Sequence, residues 1–276
     1  MIEYVVNVIR VFAPVPIYKE RHDILRVESN MRKELRKPAP GKLVNVNGHN
    51  MHVFSEGQGN ETFIFLSGSG TACPVLDFKP LWSLLSHKHR IAVVDRAGYG
   101  WSEPANSPRN IDSILSESRE ALKLAGIEGP YFLVPHSLSG LEALYWAQKY
   151  PHEVNAIIGL DPRIPTFEQM PSKFFVKLMR FLGVLSSDMI DEINHLGENA
   201  EKIKCRPLPV TTPMYFFISG RNGIKNWEET LVSFLSDFKL SKNMILNCGH
   251  YVHRYEYAKI ADEVNAFVEN VILELK

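Results

Sequence analysis

Short apolar runs recur along this chain at intervals filled by amphipathic stretches, and that alternation limits the folds open to it more than any other feature. TFIFL (62–66), RIAVVD (90–95), PYFLVP (130–135), VNAIIGLD (154–161), PMYFFISG (213–220) and NMILNCG (243–249) read as strands. The stretches between them have helical periodicity. VLDFKPLWSLLSH (75–87) is expected to be interrupted or bent near Pro80, and IDSILSESREALKLAG (111–126) to stop at Gly126. LSGLEALYWAQKY (138–150) ends before Pro151, and EYAKIADEVNAFVENVIL (256–273) is a final amphipathic helix. Strands that are apolar on both faces must be covered on both faces. The expected fold is therefore α/β: a mostly parallel sheet with helices on each side.

The ends of the pattern differ from its middle. ERHDILRVESNMRKELRK has a helical look and is stopped by PAPG, so residues 1–41 are expected to form an N-terminal helical extension. KLVNVNG and NMHVFSEG flank Asn47-Gly48, which predicts a tight hairpin leading into the first central strand. Between residues 161 and 211 the alternation lapses for longer than a bare loop in a compact domain. That gap contains MPSKFFVKLMRFLGVLSSDMIDEINHL and reads as a helical cap over 162–207, dividing a core domain of residues 42–161 and 208–276. Phe174, Phe175, Leu178, Met179, Phe181 and Leu182 exceed what one buried stripe needs. Either a cap over an apolar cavity or packing on a sheet edge or a second chain would use the surplus.

Lysine plus arginine and aspartate plus glutamate each number 31, so the formal net charge is zero. This gives no reason to expect a nucleic-acid partner, whose backbone calls for a basic face. Arg32, Lys33, Arg36 and Lys37 read as a solvated helix face. Cys73, Cys205 and Cys248 are widely spaced, odd in number and without zinc-ligand spacing, which favours a reducing, cytoplasmic setting. The opening residues 1–16 are apolar but interrupted by Glu3, Asn7 and Arg10, and are too short for a transmembrane span. Val5, Val6, Ile9 and Phe12 form a stripe that suits packing on the domain or contact with a membrane surface.

In an open parallel sheet, reactive groups belong at the carboxyl ends of the strands. Ser137 follows YFLVP directly and precedes a helix, as a nucleophile on a sharp strand-to-helix turn would, or as a simple helix cap would. Pro135 and Ser139 stand where such turns usually carry glycines. Ser67-Gly68-Ser69-Gly70 closes an earlier strand, and the amides of Ser69 and Leu138 are candidates to converge on one oxyanion; the bland alternative is a glycine-rich turn without a ligand. His250 follows the last strand and is the candidate base, with His253 expected at the surface or behind it. A metal pair of His250 and His253 lacks a third ligand. Asp161 ends the strand 154–161 and is placed either to orient the histidine, to pair with Arg163, or to cap a helix. Asp95 is expected to organise its own turn, through Arg96.

Taken together, the SGSG loop, Asp95-Arg96-Ala97-Gly98-Tyr99-Gly100-Trp101-Ser102 (resembling D-x-x-G-x-G-x-S), VPHSLSG, the insertion after GLDP and the late Gly249-His250 resemble the α/β-hydrolase superfamily over roughly residues 43 to 272. The resemblance implies a serine-nucleophile member with a helical cap. It maps Ser137 to the nucleophile, His250 to the catalytic histidine, Ser67–Gly70 to the H-G-x-G oxyanion loop with serine in place of histidine, and Ser69 and Leu138 to the oxyanion donors. The usual acid of G-x-x-D is replaced by glycine in Gly220-Arg221-Asn222-Gly223, so the acid maps one strand earlier to Asp161, with Glu228 or Glu229 as the fallback. Neither metal nor organic cofactor is implied, and an apolar cap favours a small or medium acyl ester over a charged substrate. A proline-releasing aminopeptidase and a non-catalytic interaction protein on the same scaffold are the alternatives, because the fold alone does not select the reaction.

Overall fold

The computed structural model describes residue 27 and residues 29–165, 181, 185–207, 212–235 and 238–275. The apolar stripe of residues 1–16 and, apart from Phe181, the apolar run 174–182 lie outside them; Phe181 is 87% exposed.

Eight strands form one sheet in the order β1-β2-β4-β3-β5-β6-β7-β8: β1 (Lys42–Val46), β2 (His49–Glu56), β3 (Thr62–Leu66), β4 (Arg90–Val94), β5 (Tyr131–Pro135), β6 (Val154–Leu160), β7 (Met214–Ser219) and β8 (Lys242–Leu246). The hairpin β1–β2 is antiparallel, turns at Asn47 and Gly48 with φ of 51° and 87°, and pairs antiparallel with β4. Asn and Gly are the residues that tolerate that left-handed backbone. All other pairings are parallel.

The strand side chains alternate between two cores. Ile64, Leu66, Val94 and Leu133 face one side, where Leu115 and Leu122 of α3 (Ile111–Ala125), Leu141 and Leu144 of α4 (Gly140–Lys149), and Leu231 of α7 (Trp227–Phe234) pack. Phe63, Phe65, Val93 and Phe132 face the other, against α1 (Pro74–Asp77), α2 (Lys79–Leu85), α8 (Val252–Tyr255) and α9 (Tyr257–Leu275). The expected interruption near Pro80 is present as a break between two helices at Phe78; Pro80 itself sits in the first turn of α2, where a missing N–H costs no hydrogen bond. Between β6 and β7 an inserted helical segment includes α5 (Ser187–Asn194) and α6 (Leu196–Lys204).

The helices following β3 cover one face and α4, following β5, covers the other. The carboxyl ends of β3 and β5 are therefore a topological switch point, where a crevice opens.

Candidate active site

Ser137 begins a single turn of 3-10 helix, Ser137–Ser139, that joins β5 to α4. Its φ is 54°, a left-handed backbone that costs a non-glycine residue on the order of 1–3 kcal/mol and persists only where the surroundings enforce it. The enforcement is visible. His136 N donates to Leu66 O at 2.9 Å, Ser139 Oγ donates to Leu66 O at 2.6 Å, and Arg163 N donates to Ser137 O at 2.7 Å. Ser139 is thus the small residue that ties the turn to β3. Pro135 is tolerated because successive strand amides point to opposite neighbours: His136 serves β3, so Pro135 would serve β6, whose continuous pairing with β5 already ends at Leu133.

The Ser67–Gly70 loop lies directly against this turn. A Cβ built on Gly68 would stand 2.9 Å from the Ser137 Cβ and 2.9 Å from His136 Nδ1. Glycine at 68 is the condition for that approach. Leu138 is buried immediately after Ser137.

His250 and Asp161 meet at 2.6 Å between Nδ1 and Oδ2. Asp161 is fully buried, has φ of 48°, and also accepts hydrogen bonds from Ser219 N at 2.9 Å and Trp227 Nε1 at 2.6 Å. Asn222 Nδ2 adds a long contact at 3.5 Å. It neither pairs with the Arg163 side chain nor caps a helix in these contacts. Glu228 is half-buried and Glu229 exposed on α7; their neighbour Trp227 is the α7 residue that reaches Asp161. The His250 side chain is 12% exposed.

Behind His250 lies a buried cluster that the local sequence does not announce. His136 Nε2 donates to His250 O at 3.2 Å, and its ring centroid is 4.7 Å from that of His250 and 4.5 Å from that of His253. The carbonyl acceptor fixes the Nε2–H tautomer, and burial holds His136 well below the ordinary histidine range, with the nearby His253 and His250 adding to the effect. His253 is fully buried on α8, so the surface placement is corrected: its Nε2 lies 3.1 Å from Asp77 Oδ1. Burial alone would raise the Asp77 carboxyl, but Arg254, with Nε 2.5 Å from Oδ1, and His253 together hold it well below the usual carboxylate range. Asp77, His136 and His253 place one potential metal ligand each within 4.8 Å of one another. Arg254 already supplies the positive charge at that carboxylate, so the donor set fits a cation poorly.

Asp95 does organise its turn, but through other partners than Arg96: its Oδ2 meets His52 Nδ1 at 2.8 Å and accepts from Trp101 N at 3.1 Å. Arg96 turns the opposite way, toward Glu142 and Glu192.

With this geometry in view, the alpha/beta hydrolase fold family matches residues 62–208, just over half of the chain, and the chain belongs to that family. The uncharacterized protein YbdG of Bacillus subtilis is 52% identical over 125 residues, 45% of this chain and only 38% of YbdG's length. Methylesterase 9 of Arabidopsis thaliana is 25% identical over 166 residues, 59% of each chain. A solved epoxide hydrolase variant from Vigna radiata superposes with a TM-score of 0.68 at 17% identity, covering 83% of this chain and 98% of its own, a likeness of fold.

Proposed function

We propose that this protein is a serine hydrolase cleaving a small or medium carboxylic ester through an acyl-enzyme. The observation that carries the reading is the buried Asp161 carboxylate held 2.6 Å from His250 Nδ1, together with Ser137 on a left-handed strand-to-helix turn directly after His136, whose ring centroid is 4.7 Å from that of His250. With Nδ1–H donated to Asp161, the His250 Nε2 is the free basic nitrogen. It takes the Ser137 proton as the oxygen attacks the ester carbonyl. The amides of Leu138 and Ser69 receive the developing oxyanion, each such donor being worth about 3 kcal/mol in the transition state. The imidazolium then protonates the departing alkoxide, and water activated by the same nitrogen releases the acid.

Members of the superfamily that use an aspartate nucleophile, dehalogenases among them, are the closest rivals in chemistry. The turn residue here is Ser137, which supports acyl transfer, and the name of the Arabidopsis relative points to an ester. Labelling with a fluorophosphonate probe tests the assignment. The expected result is a single adduct that disappears in Ser137→Ala. A well-folded protein that takes no label would favour the non-catalytic scaffold instead.

A further inference from the structure

The two carboxylate oxygens of Asp161 meet different partners. Oδ2 faces His250 Nδ1 at 2.6 Å, whereas Oδ1 accepts from Ser219 N at 2.9 Å and from Trp227 Nε1 at 2.6 Å. The torsion that turns an aspartate carboxylate is soft, so donors held on one oxygen set the plane in which the other points. Ser219 contributes a backbone N–H that nearly any residue would offer there. The indole is the donor that depends on the side chain, and its bond is the shorter of the two. Asn222 Nδ2, the other side-chain amide nearby, stands 3.5 Å from Oδ2, too far to take over.

The chain after β7 is shaped to deliver that donor. Gly220-Arg221-Asn222-Gly223 carries no carboxylate. Instead Asn222 Oδ1 accepts from Ile224 N at 2.9 Å, Gly223 and Asn226 take left-handed φ of 73° and 57°, and the buried Trp227 opens α7. Its ring stands edge-on to His250, with centroids 6.5 Å apart and planes at 80°, so the residue that binds the acid also flanks the imidazole. An indole has one polar atom and can only donate. Here that atom is aimed at the proposed acid. We infer that Trp227 is a positioning residue: by holding Oδ1 it keeps Oδ2 on His250 Nδ1, and so keeps the imidazole in the tautomer whose Nε2 is free to take a proton. The consequence for rate rests on the serine-hydrolase reading, whereas the consequence for the tautomer does not.

Two replacements test it in the full chain. Trp227→Phe removes the indole N–H along with some volume, and 3-benzothienylalanine at position 227 keeps the outline of the ring with sulfur in place of the N–H. The ring nitrogen-15 signals of His250, recorded at about pH 9 where histidines are neutral, read the tautomer. The wild type is expected to show Nδ1 protonated and Nε2 bare, and both replacements a mixture. Acylation by a p-nitrophenyl ester, followed before the steady state, is expected to fall about tenfold with substrate affinity changed by less than about twofold. In an Asp161→Asn background the same replacements should lower acylation by less than about twofold, because a group that acts through the acid then has nothing to act on. Equal losses in the two backgrounds would leave Trp227 a packing role alone and overturn the inference, as would an unchanged tautomer. Should the wild type take no fluorophosphonate label and cleave no ester, the hydrolase reading falls, and the nitrogen signals alone still decide whether Trp227 holds the pair. The benzothienyl protein keeps the test decisive if Trp227→Phe does not fold.

Discussion

The Asp161 carboxylate is fully buried yet receives Ser219 N, Trp227 Nε1 and His250 Nδ1, each within 3 Å. Oriented donors of this kind replace lost water and keep a buried carboxylate useful as a charge. Asp161→Asn offers an amide nitrogen where His250 expects an acceptor, which permits the wrong tautomer. Acylation should fall by about 10⁴ with the thermal unfolding midpoint little changed, as read by pre-steady-state ester cleavage. A nearly silent Asp161→Asn beside an inactive Glu228→Gln would move the acid to α7. That Ser137, His250 and Asp161 stand at strand ends was legible because each ends or closely follows an apolar run, and strand ends are short-range features. Trp227 was not, since its indole reaches the carboxylate from 66 residues further along the chain. Arg96 was misread for a related reason: a local reading pairs it with Asp95 next door, whereas burial pairs it with carboxylates on two helices.

At the scale of elements, the turn carrying Ser137 and the segment after β6 are packed against each other through the first residue of α4. A Cβ on Gly140 would approach Arg163 O to 2.3 Å and Arg163 N to 2.9 Å, and that same Arg163 amide bonds Ser137 O. Glycine at 140 thus sets the spacing between the proposed nucleophile's turn and the residues directly following Asp161. Gly140→Ala should push these elements apart, costing about 1–3 kcal/mol by urea unfolding. A displacement near 1 Å should also lower kcat about a hundredfold. The helices and strands themselves could be read from periodicity, turn residues and stops. Asn47-Gly48 and Gly126 did what their backbone freedom allows, Gly126 with φ of 76° after α3. The interruption near Pro80 was legible from the proline, but its placement at Phe78 was not, because proline inside a helical pattern fits either a bend or the first turn of a new helix.

For the molecule as a whole, the buried histidines make stability depend on pH. Burial depresses His136 and His253, so both are neutral when folded, whereas the unfolded chain binds their protons below about pH 6.5. The unfolded state then holds more protons, and stability rises with pH. Their contribution is complete above about pH 6.5 and is lost as pH falls toward the depressed folded values. The urea midpoint should drop between about pH 7 and about pH 5.5, and His253→Gln should make that slope shallower; an unchanged slope would argue that His253 does not titrate on unfolding. Sequence composition gave no hint of this, because ten histidines look alike until burial separates them.

The inserted helical segment leaves the sheet after β6 and returns at β7, and Asp161, at its point of departure, is bonded by Ser219 and Trp227, which lie beyond its point of return. The neck of the insertion is thereby riveted shut by the very group that steadies the imidazole. The length of the segment above that rivet can therefore change without disturbing the contacts of Asp161 with Ser219, Trp227 and His250.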